Sequence, residues 1–211
     1  MTPLAIAEAL KADMLAGRLS PGADLQQVEL AARFGVSRIP VRDALSILAA
    51  EKLVTVRPNR GAAVTRFDAA GIDEIYRLRL LLESDCLRAA LPAFNDADRA
   101  EIDYQLKRSN LEAGRPGWAV SDWDFHRALY APSRRPMQID LIGTLRQLCQ
   151  VHIAGYDWLT EATEDWLADH AELVAAYLAR DEAKTISILE RHIGHVRDAL
   201  VAAIKHGETG A

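Results

Sequence analysis

Apolar residues recur at helical spacing from the first turn of the chain. LAIAEALKADMLAGRL places them three and four apart, and SPGADL after it supplies a Pro-Gly break, which predicts one helix and a turn. QQVELAARFGV predicts a second short helix stopped near Gly35. SRIPVRDALSILAAE predicts a third that starts at Ser37, a favourable N-cap, with Pro40 tolerated because it lies in the first turn. Next come LVTVRP and GAAVTRF, two short β-prone runs separated by NRG, so a hairpin follows the third helix. Helix, glycine-containing turn, helix and hairpin together predict a winged helix-turn-helix over residues 1–66.

The remaining stretch, 67–211, keeps a helical period throughout. DAAGIDEIYRLRLLLESDCLRAAL starts at an Asp68 cap and stops at Pro92, and DADRAEIDYQLKRSNLEA and PGWAVSDWDFHRALY follow. Three further helices are expected over roughly 135–158, 160–179 and 181–206, giving an all-α bundle of about six helices with short loops. The fold class is therefore mainly α, with an N-terminal winged helix-turn-helix and a C-terminal helical bundle.

Composition changes this picture little: of 211 residues, 50% are hydrophobic and 26% charged, which supports a true core. Charge changes it more. The net −5 hides nine basic against six acidic residues in 1–66 and sixteen against twenty-four in 67–211, so a polyanion can bind the front and not the rear. No apolar run approaches the roughly 18 residues of a membrane span, and acids interrupt the first stretch where a signal peptide would be apolar; a cytoplasmic protein is expected. Cys86 and Cys149 lie in apolar helical patterns without CxxC spacing and are expected to be buried thiols.

Within the third helix Val41, Leu45 and Leu48 share the anchoring side, which leaves Arg38 and Arg42 stacked four apart on another. Arginine can donate two hydrogen bonds to guanine O6 and N7, so the pair suits a major groove, with Ser37 at the helix N-terminus as a phosphate contact. In the wing, Arg57, Asn59 and Arg60 beside Gly61 offer phosphate or minor-groove contacts. The stretch from SPGADL to GAAVTRF resembles the DNA-binding domain of the GntR family of bacterial transcription regulators. That resemblance implies a dimer on a pseudopalindromic operator, with base or phosphate contact at Arg38 and Arg42 and wing contact at Gly61. Two departures stand out: Val28 sits where some members carry a DNA-contacting arginine, and Lys52 replaces a glycine common before the hairpin.

Histidine spacing carries the chemistry of the rear. Asp122 and His126 are four apart and share a helix face. His170 and His192 are 22 apart with a helix break expected midway, at Arg180 and Asp181. Each arm is then about 11 residues, or roughly 16 Å, and two antiparallel helices would bring both imidazoles level. Three imidazoles and a carboxylate make a donor set for Zn²⁺, Ni²⁺ or another borderline divalent ion, with positions left open. His152, His195 and His206 are assigned structural or surface roles, His195 being able to substitute from three residues beyond His192. SDWDFHRALY and HAELVAAYLARDEAKTISILERHI further resemble the FCD effector domain of the FadR-type branch of GntR regulators, covering nearly all of 68–204. By that resemblance Asp122, His126, His170 and His192 correspond to the four metal ligands, and small carboxylates, sugar acids or hydroxy acids, are the effectors. Arg79 is then a candidate cation for the effector carboxylate, an ion pair with Glu83 being the alternative, and Tyr156 with Trp158 are candidate pocket residues, plain core being theirs. The reading is a ligand-responsive regulator rather than an enzyme; a metal-dependent hydrolase or lyase would lack a general-base or nucleophile pattern, and an effector-independent DNA-binding protein is the third possibility.

Overall fold

The computed structural model describes residues 1–57, 61–115, 117–154 and 163–208. Two compact units are formed: Met1–Phe67 together with the stretch that starts at Gln147, and Asp68–Arg146 together with the stretch that starts at Asp157. Residues 147–154, expected in the rear bundle, thus group with the front unit. The long α7 introduced below runs from one unit into the other.

In the first unit, α1 (Pro3–Leu15) begins at Thr2, whose hydroxyl accepts from the Ala5 amide. α2 (Gln27–Phe34) ends at Gly35, whose φ of 63° is the left-handed conformation that lets the chain turn sharply. α3 (Arg38–Ala50) then starts at an extended Ser37 whose side chain makes no capping hydrogen bond. Val41, Leu45 and Leu48 are buried as their spacing requires, and α3 packs on α1, α2 and the sheet. Asp13 is buried at the end of α1, where Arg18 Nε (2.7 Å) and Arg33 (2.5 Å) neutralise it and tie α1 to α2.

The hairpin strands are β2 (Val54–Arg57) and β3 (Gly61–Val64), antiparallel with Val54 opposite Val64 and Arg57 opposite Gly61. A two-residue strand that the sequence pattern did not indicate, β1 (Asp24–Leu25), pairs with the free edge of β3 and gives the order β1-β3-β2. Lys52, in the position where glycine is common, has φ 62°. His152 is satisfied structurally: Nδ1 meets Leu148 O at 2.8 Å and Nε2 accepts the Phe67 amide at 3.0 Å.

The second unit contains, among the described residues, α4 (Ala69–Ala90), α5 (Asp96–Glu112), α6 (Trp118–Tyr130), most of α7 (Pro136–Ile153), α8 (Thr163–Leu178) and α9 (Glu182–Glu208). Asp68 caps α4 through the Gly71 amide at 2.8 Å, and Asn95 with Asp98 forms a capping box on α5. α4 packs along α9, α5 along α6, and α8 along α9. The break between α8 and α9 falls at Arg180, φ 58°, whose guanidinium donates to the carbonyls of Leu91 and Phe94 and stacks on the Phe94 ring. Asp181 caps α9 through the Lys184 amide at 3.0 Å. Both cysteines are buried free thiols, and no described helix is long and apolar enough to cross a membrane.

Candidate functional site

On the helix-turn-helix, Ser37, Arg38 and Arg42 are exposed at the start of α3, along with Ile39, and Val28 is exposed on α2. Among the described residues the Arg42 guanidinium has a loose contact with its neighbour Asp43 (3.6 Å), which leaves it available to an external partner. Arg57 is engaged with Asp24 across the sheet at 3.0 Å, an exposed ion pair of little energetic weight. Gly61 has φ 80°, a conformation that favours glycine over any residue with a Cβ. Asn59 and Arg60 lie outside the described residues.

In the second unit α6, α8 and α9 bring His126, His170 and His192 together, all buried, with one ring nitrogen from each lying within 4.8 Å of the others. The break at Arg180 sets His170 level with His192, their rings 4.8 Å apart. Asp122 completes the group: its Oδ1 is 3.5 Å from His170 Nε2 and 3.8 Å from His126 Nε2. That oxygen is buried with no hydrogen-bond partner among the described residues.

The surrounding bonds assign the tautomers. Tyr130 donates its hydroxyl proton to Glu83 Oε2 at 2.5 Å, so toward His126 Nδ1, 3.3 Å away, its oxygen can only accept, and His126 carries its proton on Nδ1. Indole is a donor only, and Trp166 Nε1 lies 2.9 Å from His170 Nε2, so that nitrogen offers its lone pair. On His192, Nδ1 faces Asp169 Oδ2 at 3.4 Å, and Arg191 holds Asp169 in turn. The 3.3 Å approach of His126 Nε2 to His170 Nε2 therefore sets two acceptor nitrogens side by side, the second of them met by the Trp166 N–H, beside an orphaned carboxylate oxygen. Such a group repels itself unless a cation lies among its members, so these four residues fit a divalent metal ion.

Electrostatics agree. Burial, then the positive charge of Arg146, pushes His126 well below its ordinary value, and burial with His192 takes His170 down to about 3. Both are neutral at pH 7, the form that ligates metal. Burial alone would raise the Glu83 carboxyl, but Arg79 and Arg146 outweigh it and leave it below its usual range.

Arg146 was not anticipated. It is buried in α7 and donates to Asp122 Oδ2 at 2.5 Å and to Glu83 Oε2 at 3.4 Å, thereby fixing Asp122 with Oδ1 turned to the imidazoles. Arg79 binds Glu83 from the other side at 2.8 Å, so the ion pair that was the alternative role for this arginine is formed. A lone arginine in the apolar run IDLIGTLRQLCQV was the available signal for Arg146. Asp122, His126 and Tyr130 at intervals of four, like Trp166 and His170, carried the signal for the outer partners. Tyr156 and Trp158 lie outside the described residues; His195 is exposed beside the cluster and His206 bonds the Ala202 carbonyl at 2.7 Å.

A winged helix-turn-helix joined to a helical unit with an internal polar cluster defines a class: DNA-binding transcription regulators with a separate effector unit. Residues 2–64 match the family described as bacterial regulatory proteins, gntR family, and residues 74–195 match the FCD domain; the chain belongs to the GntR family and carries its FCD effector domain. It is 29% identical over 199 residues to the HTH-type transcriptional repressor GlaR of Escherichia coli K12, covering 87% of this chain and 89% of that protein. It is 32% identical over 122 residues to an HTH-type transcriptional regulator in the TAR-I ttuE-ttuC' intergenic region of Agrobacterium vitis, covering 53% and 68% respectively. Among solved structures, a GntR regulator from Rhodococcus sp. RHA1 shares the fold with a TM-score of 0.81 at 22% identity, over 95% of this chain and 98% of that one. These relatives are named as transcription regulators.

Proposed function

We propose that this regulator senses a small carboxylate, a hydroxy acid or sugar acid, through a divalent metal ion held by Asp122, His126, His170 and His192, and that effector binding alters its affinity for a pseudopalindromic operator. The observation that carries the reading is the buried group of lone pairs, where His126 Nε2 and His170 Nε2 meet at 3.3 Å beside an unpartnered Asp122 Oδ1. Zinc or nickel suits a set of three imidazoles and one carboxylate. When bound, the ion supplies a Lewis-acid site whose open positions an effector's oxygen atoms can fill. The protein's own groups do the rest: Arg146 and Glu83 orient Asp122 and Tyr130, Tyr130 and Asp169 orient the imidazoles, and Arg79 adds positive charge beside them.

On the DNA side, Arg38 and Arg42 read bases, while Ser37, Arg57, Asn59, Arg60 and Gly61 contact the backbone or minor groove. A twofold operator needs two heads. The exposed side chains of Leu78 and Leu81 on α4 and of Met137 and Leu141 on α7 are apolar surface suited to a second copy of the chain. Gln138 joins these two helices by donating to Leu82 O at 2.9 Å. Two relatives are named as repressors, and repression is the expected sense.

Metal analysis of the purified protein, followed by operator binding by fluorescence anisotropy with and without a panel of hydroxy and sugar acids, tests the reading. One divalent ion per chain and one acid that shifts DNA affinity are expected. Metal-free protein, or DNA binding blind to the whole panel, would count against it.

A further inference from the structure

The metal reading assigns no task to Trp166. This half-buried residue lies one helical turn before His170 on α8, so both side chains share a face. Its indole N–H meets His170 Nε2 at 2.9 Å, and its ring stands edge-on to His192 with centroids 5.1 Å apart and an interplanar angle of 83°. On its other side it packs against Trp118, centroids 5.3 Å apart, whose own N–H is taken by Ser109 Oγ at 3.3 Å. The same indole, with Asp165, Asp169, His192 and His195, lines a partly open cavity of about 230 Å³ against α9. Trp166 therefore has its N–H on the cluster and another part of its ring on a space that opens outward.

We propose that Trp166 is the gate of the histidine cluster: its indole N–H occupies the His170 lone pair that a divalent cation needs, and it must turn away as an ion is loaded from the cavity against α9. The proposal rests on the metal reading above. A sp² nitrogen has one lone pair, so the hydrogen bond from Trp166 and a bond to metal exclude each other. The indole also moderates the cluster itself, because it is the donor that meets the lone pair of a buried His170 whose Nδ1 has no hydrogen-bond partner among the described residues. Asp165 and Asp169 line the cavity, Asp169 being paired with Arg191, and place carboxylate oxygens on the path by which a cation would approach.

Zn²⁺ alone, added to the full chain, tests this. The ion is d¹⁰ and redox-inert, so it does not quench tryptophan by electron transfer, and whatever part of an emission change disappears in Trp166→Phe belongs to that indole. Chelator competition is expected to show Trp166→Phe binding Zn²⁺ about five-fold more tightly than the unaltered protein, because one competing hydrogen bond no longer has to break. The unaltered protein should change emission up to one equivalent of Zn²⁺, and that change should be lost in the variant. Equal or weaker Zn²⁺ affinity in Trp166→Phe, or the same emission change in both proteins, would overturn the gate while leaving the metal site intact. Failure of the unaltered protein to take up Zn²⁺ would overturn both. Should the variant not fold, a constant emission of the unaltered protein through one equivalent still refutes the gate.

Discussion

Replacing Tyr130 with phenylalanine deletes a single oxygen from a fully buried chain that runs from Glu83 through Tyr130 to His126. The ring is retained, so no cavity of consequence opens, and Glu83 keeps Arg79 at 2.8 Å and Arg146 at 3.4 Å. What is lost is the 2.5 Å bond from the hydroxyl to the Glu83 carboxylate and the acceptor for the His126 Nδ1 proton. A hydrogen bond to a charged group contributes about 1.5–3 kcal/mol, and a buried donor left unmet costs about 1–3 kcal/mol. Because the two effects share one atom and the site can relax, we expect metal-free Tyr130→Phe to lose about 2–4 kcal/mol in urea unfolding with chelator present. Zn²⁺ affinity should fall by roughly 10–100-fold, since the imidazole is no longer held with Nε2 toward the cluster. Chelator competition on folded protein separates the second effect from the first. A variant that loses stability but binds Zn²⁺ with unchanged affinity would refute the tautomer assignment, and with it the argument that both Nε2 atoms are acceptors.

Three further outcomes are expected. Arg42→Ala should weaken specific operator binding by about 1–3 kcal/mol while leaving metal content unchanged, as read by anisotropy and metal analysis; equal operator affinity would remove Arg42 from the reading face. Lys52→Gly should stabilise the head by about 0.5–1 kcal/mol, because φ 62° strains a residue with a Cβ by more than the added freedom of the unfolded glycine offsets, and an unchanged thermal midpoint would contradict this. The folded-state value of His170, about 3, lies below its ordinary 6.5. Between those limits the unfolded chain binds the extra proton, so stability of the metal-free protein should rise with pH from about 3 to 6.5 and be fully present above that window; a urea midpoint unchanged between pH 7 and pH 5 would refute it.

How much of this was legible in the sequence depends on the range of the interaction. The helices of both units, the Ser37 start of α3, the hairpin strands and the turn at Arg180 are local matters of period, cap and break, and they were readable for that reason. Strand β1 was not, because two residues carry no period and Asp24–Leu25 becomes a strand only by pairing with β3. The meeting of His170 and His192 was readable since a single turn separates two straight arms of equal length. Grouping of residues 147–154 with the front unit was not readable, because nothing in the unbroken apolar period of α7 marks where its packing partner changes.

The same distinction separates the proposed ligand set from the residues that orient it. Asp122, His126, His170 and His192 are recognisable as donors wherever they occur, but the state of those donors is set across the bundle by residues with no such signature. Glu83, 47 positions from Tyr130, decides which way the Tyr130 hydroxyl points, and that decides the tautomer of His126. Arg146, 24 positions from Asp122, takes one carboxylate oxygen and leaves the other bare. The charges of Arg79, Arg146, Glu83 and Asp122 offset one another, as do those of Arg191 and Asp169, so the proposed affinity of the cluster for a cation rests on its crowded acceptors, His126 Nε2 and Asp122 Oδ1 above all, rather than on a net negative charge. On the metal reading proposed above, a divalent ion would leave the buried group with two positive charges in excess, and an anionic effector would be its complement.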